Sequence, residues 1–202
     1  MTNLSIDRSP DQLAEELKGL EYVDWPAVWA GPPNPGQALD DWCALFGWKP
    51  TSAERVLTVR STTGQTIALW PEQEASWAPI KQLSWTSWDM WADDTSENDL
   101  VLTQAAATWG AYVAAARPVL GEPVFAGAWD DPAFPEPPHD QHWLMPRGIR
   151  LEDMDPYRMA VWRESGPEGR ITVLTVSLGA ALEPGELRSA RINIRCYPPE
   201  AV

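Results

Sequence analysis

Along this chain the spacing of apolar residues changes from helical to strand-like twice, and that order restricts the fold more than any other feature. In the first pass Ser9-Pro10-Asp11-Gln12 has the cap-then-proline form of a helix start, followed by Leu13, Leu17 and Leu20 as a narrow apolar stripe. Ala30-Gly31-Pro32-Pro33-Asn34-Pro35-Gly36 interrupts regular structure, after which Leu39, Trp42, Cys43 and Phe46 recur at i, i+3, i+4 and i+7, with Gly47 placed to end the helix. Two β-like runs, Arg55–Arg60 and Thr66–Trp70, are joined by a hairpin connection at Ser61–Gln65. A third, Gln82–Trp91, alternates so that Leu83, Trp85, Ser87, Asp89 and Trp91 point one way and Ser84, Thr86, Trp88 and Met90 the other.

The second pass begins with a helix predicted over about Glu97–Arg117, because Leu102, Ala105, Trp109, Val113, Ala116 and Leu120 trace one face. Thr95 or Ser96 is its expected cap, and Pro118 with Gly121 its stop. A proline-bearing irregular passage, Ala126–Pro146, precedes runs that read as strands: Gly148–Met154, Arg158–Glu164, Arg170–Leu178 and Arg191–Cys196, with Ser165–Gly169 linking two of them. The expected fold class is therefore α+β. An antiparallel sheet carries helices packed on one side, and the two passes form related α-β-β halves. A single domain over residues 1–202 is the expectation, with subdomains 1–95 and 96–202 as the other division.

Composition narrows the function classes. The 15 basic and 29 acidic residues leave a net charge of −14, and residues 1–100 hold 6 basic against 16 acidic, so the first half carries most of the field. Such a field repels phosphate backbones and anionic lipid, which disfavours nucleic acid and membrane and favours a basic protein partner. No apolar run reaches the ~18–20 residues a bilayer span needs, and Met1-Thr2-Asn3-Leu4-Ser5 lacks the form of a secretion signal, so a cytoplasmic location is expected. The thirteen tryptophans far exceed an average chain's share. Large, amphipathic indoles serve cores, interface anchors and sugar platforms, and most of these are expected in the core.

Catalytic and metal motifs are sparse. His139-Asp140-Gln141-His142 holds both histidines three apart, near Asp130 and Asp131, but lacks the glutamate placement of a zinc-protease helix and a cysteine companion. Cys43 and Cys196 lie far apart and read as buried thiols rather than a disulfide. No nucleophile elbow or phosphate-binding loop is present, and the pairs Asp40/Asp41 and Asp93/Asp94 read as solvated carboxylates. Neither a catalytic residue nor a metal or cofactor is therefore expected. The sharpest candidate is the tryptophan-acid stretch before the second long helix, where Trp88, Asp89, Trp91, Asp93, Asp94 and Glu97 are the expected partner-binding residues. The competing account puts Trp85 and Trp91 in the core and leaves the acids to favour the helix start.

Three elements carry a resemblance: Ala38-Leu39-Asp40-Asp41-Trp42-Cys43-Ala44-Leu45-Phe46-Gly47-Trp48, the helix ending Val119-Leu120-Gly121-Glu122-Pro123, and Gly148-Ile149-Arg150-Leu151 leading into Ala160-Val161-Trp162-Arg163. In these the chain resembles small acidic, tryptophan-rich bacterial proteins of uncharacterised function, some of them similar to immunity proteins that neutralise polymorphic toxins. The resemblance implies a cognate toxin as partner, which the acidic charge of this chain favours as a basic one, and it carries over no residue roles. A small-ligand or metal-binding enzyme using the His139–His142 loop and a non-catalytic component of a larger assembly are the other readings. The sequence leaves the oligomeric state open.

Overall fold

The computed structural model describes residues 2–73, 76–136, 145–164, 169–179 and 186–199. Nine strands make one antiparallel sheet: β1 Asn3–Asp7, β2 Lys49–Ala53, β3 Leu57–Arg60, β4 Thr66–Pro71, β5 Ile80–Trp91, β6 Phe125–Ala128, β7 Arg158–Arg163, β8 Ile171–Leu178 and β9 Ser189–Tyr197. Their order is β2-β3-β4-β5-β9-β8-β7-β6, with β1 paired to β5 off that path. Each pass of the chain thus ends in a four-strand meander, and the two last strands, β5 and β9, pair antiparallel at the centre. The expected α+β class with an antiparallel sheet holds. The two halves share one sheet, and the main apolar core takes residues from Leu13 through Cys196.

The helices are α1 Pro10–Gly19, α2 Trp25–Ala30, α3 Gln37–Leu45, α4 Asn98–Leu120 and α5 Arg147–Asp153. Helix α1 starts as its sequence requires. The Ser9 hydroxyl accepts from the Gln12 N–H while the Gln12 side chain accepts from the Ser9 N–H, a complete capping box with Pro10 just inside. Its apolar stripe and that of α4 pack against one face of the sheet, where Leu83, Trp85, Ile192, Ile194, Leu174 and Trp162 are all buried. Among the described residues no helix is long and apolar enough to cross a membrane.

Several details depart from the sequence expectations, and strand β6 occupies the start of the passage read as irregular. Residues 148–154 form helix α5, not a strand. Ile149 and Leu151 are exposed there, and Arg150 turns inward at 2% exposure, its guanidinium 4.0 Å over the Phe134 ring and 2.7 Å from Glu136. That stack belongs to a second apolar cluster on the opposite sheet face, around Phe134, Met159, Val161, Ile171, Val173 and Tyr197. Helix α4 runs past Pro118 to Leu120, so the proline, which brings no N–H to the Ala114 carbonyl, lies within the last turn instead of stopping the helix, and Gly121, at φ +80°, ends it. Asp94 rather than Thr95 or Ser96 caps the turn leading into α4, its carboxylate accepting from the Ser96 N–H at 2.8 Å. The linking turn Ser165–Gly169 falls largely outside the described residues.

One further departure decides the candidate site. The pairing of β5 with β9 shifts between Thr86 and Trp88, leaving Ser87 as a bulge that reverses the alternation of everything after it. Trp88 and Met90 therefore join Leu83 and Trp85 on the helix-covered face, and Asp89 and Trp91 move to the open one. The displaced Ser87 carbonyl accepts from the Arg8 N–H at 2.9 Å and from the Tyr112 hydroxyl at 3.1 Å, so helix α4 holds the bulge in place. Alongside, Gln65 donates its side-chain amide to the carbonyls of Thr66 and Thr86 and bridges the break between β4 and β1 on the same edge of β5.

Glu16 of α1 is 5% exposed and accepts from the hydroxyls of Ser61, at 3.0 Å, and Thr63, tying the β3–β4 turn to the helix layer. Burial raises its carboxyl above the ordinary range, only partly offset by the Ser61 hydrogen bond and the Arg8 charge. A raised folded-state pKa favours the protonated form. The contribution is therefore present below the unfolded value, near pH 4, and lost as pH rises through the raised one. Glu16→Gln keeps an acceptor without that titration, so its melting temperature relative to wild type should climb from pH 4 to pH 7. Thermal melts of both proteins at the two pH values check this, and a flat difference would contradict it.

Candidate functional site

Of the thirteen tryptophans, Trp25, Trp29, Trp48, Trp85, Trp88, Trp109 and Trp162 are buried, as core packing demands of large indoles. Only Trp70 and Trp91, at 42% and 37%, count as exposed among the described residues. Both stand on the open face of the sheet. Trp88, expected at a partner surface, is 3% exposed and packs in the main core, so it presents nothing to a partner. The bulge at Ser87 is the physical reason, because it exchanges the faces on which Trp88 and Trp91 lie.

The remaining expected residues do gather. Trp91 ends β5, and Asp93, Asp94 and Glu97 follow on the loop and turn that enter α4. Short hydrogen bonds shape this corner. The Asp93 N–H donates to Glu97 Oε2 at 3.1 Å, the Ser96 hydroxyl donates to Asp94 Oδ1 at 2.6 Å, and Asn3 Nδ2 of β1 donates to Asp93 Oδ1. The Asn98 side chain ties the start of α4 to the approach to β9, donating to the Glu186 carbonyl at 3.0 Å and accepting from the Arg188 N–H at 2.9 Å. The Ser96 hydroxyl, and then its N–H, hold the Asp94 carboxyl below its ordinary range, so the exposed corner is charged at neutral pH.

Asp89 belongs to the open face but is already engaged. It accepts from the Ser5 hydroxyl and from Arg191 Nη2, both at 3.1 Å, with its side chain 14% exposed. Its role is to join β1, β5 and β9, and Asp93 and Asp94 carry more of the outward field. Sequence reasoning missed Leu4 and Ile6, exposed at 46% and 36% on β1, and Trp70 on β4. Trp70 donates its indole N–H to Ser84 Oγ at 2.8 Å. With Ile6 it borders a groove of about 490 Å³ whose lining includes Thr86, Arg191 and Asn193. The alternation Leu4-Ser5-Ile6 was the available signal for a strand, but its shortness and position near the chain's start hid it.

Cys43 and Cys196 are buried free thiols, each pushed up to about 11 chiefly by burial, so both stay protonated at neutral pH. Among the described residues no three His, Cys, Asp or Glu side chains converge as metal ligands; His139 and His142 lie outside those residues. Comparison of the chain with protein families, curated proteins and solved structures finds no match.

Proposed function

We propose that this chain is an immunity-type binding protein that acts in the bacterial cytoplasm, docking a basic protein toxin and blocking its action without catalysis. The observation that carries this reading is the pairing of an exposed indole, Trp91, with the hydrogen-bonded carboxylates of Asp93, Asp94 and Glu97 in a chain of net charge −14. An indole supplies contact area at low entropic cost, and fixed carboxylates steer a basic surface toward it. The rigidity of the corner reduces the ordering cost of binding.

The test is co-expression with the toxin encoded beside its gene, scoring growth. Trp91→Ala should weaken the complex by about 2 kcal/mol, or roughly thirtyfold. Asp93→Lys with Asp94→Lys should chiefly slow association and make it less salt-dependent. Full protection by both variants, with unchanged complex affinity, would remove this corner as the docking surface. Stable association with a partner that is no toxin would favour the assembly-component reading.

A further inference from the structure

Three strands end the sheet with one edge unpaired among the described residues, and two of them carry the usual defences against strand addition. Edge strand β2 contains Lys49, Pro50 and a break in register between Pro50 and Ser52. Edge strand β6 is only four residues long. The third, β1, has no lysine and no proline, and all five of its residues are exposed. Its register break at Ser5 puts Leu4 on the face of Met90 and Ile6 on the face of Asp89, so each side of the edge offers an apolar contact.

We infer that the outer edge of β1 accepts an extended segment of a basic protein partner as a further strand. This rests on the binding reading above and names how the partner docks. Backbone groups along an unpaired edge bind any extended chain, and flanking side chains select which one. Asp7 lies on β1 itself, and Asp93 is held against Asn3 at its other end, with Asp94 beside it. Those charges select a segment alternating lysine or arginine with valine, isoleucine or leucine. They disfavour a second copy of this chain, whose β1 would bring another Asp7 and another net charge of −14. An added strand would lie in the row of β3, because β1 and β4 share one edge of β5 and β3 pairs with the far side of β4.

The experiment uses the intact chain, a short alternating lysine–valine peptide at millimolar concentration, and amide hydrogen exchange read by NMR. Expected is at least about tenfold slower exchange of the β1 amides that point away from β5, as for newly paired strand groups. Ile6→Lys should lower peptide affinity about tenfold with an unchanged melting temperature, since Ile6 is exposed. Peptide-induced shifts confined to Trp91 and Asp93, with β1 exchange unaltered, would overturn edge docking and leave the corner reading standing. Equal binding of a glutamate–valine peptide would overturn the basic partner. Failure of both peptides to bind, or concentration-dependent self-pairing through β1, would overturn the inference itself.

Discussion

Trp88→Ala is expected to cost about 3–5 kcal/mol of stability, the range for deleting a fully buried aromatic ring. Trp91→Ala should stay within about 1 kcal/mol of wild type, as for a surface change. The two indoles are three residues apart on one strand, so the contrast tests the bulge at Ser87 directly. Trp88 is opposite Ile192 of β9 and packs in the core beneath the helices, where its loss leaves a cavity that fixed neighbours cannot fill. Urea unfolding followed by circular dichroism measures both. Comparable losses, or a larger one at Trp91, would mean that β5 keeps the uninterrupted alternation its sequence implies.

Arg170→Ala should be the second most damaging change, at about 3 kcal/mol, the scale for emptying a buried side-chain site and stranding a buried hydrogen-bond partner. Arg170 is 1% exposed, with its guanidinium 4.7 Å from the centre of the Trp25 ring, which itself stacks on Trp29 at 5.0 Å. It donates to the Leu20 carbonyl at 3.0 Å and faces Glu164 at 2.9 Å. Glu164 is 38% exposed, so solvent screens that pair, and most of the loss should come from the stranded Leu20 carbonyl and the emptied space against Trp25. Arg170→Met restores the stem but not the donor and should recover about half of the loss. Equal damage from both variants, in the same urea titration, would place the effect in the charge.

Elements with long or capped signals were legible. Helix α4 follows its stripe through Ala105, Trp109, Val113 and Ala116, and α1 begins at the Ser9 box. The β3–β4 hairpin lies where its apolar alternation placed it, Leu57 and Val59 facing Leu69 and Ile67. Short elements were less legible. Strand β1 spans five residues and α2 six, too few for a period to stand out, and α5 was misread because Ile149 and Leu151 mimic alternation while Arg150 is the buried residue. The candidate corner was half legible: its acids were found from composition beside a helix start, but which tryptophan they surround was not.

Local order and charge were determined by the sequence alone: the α+β class, the succession of helices before meanders, and the acidic excess of the first half. These depend on neighbours within a few turns or on simple sums over residues. Tertiary structure alone decided which indoles face solvent, because one bulged residue, held by Tyr112 and Arg8 from distant parts of the chain, inverts the faces of the strand beyond it. That β1 has one edge open among the described residues was decided the same way, since whether a strand has a second neighbour depends on where the other strands lie and not on its own five residues.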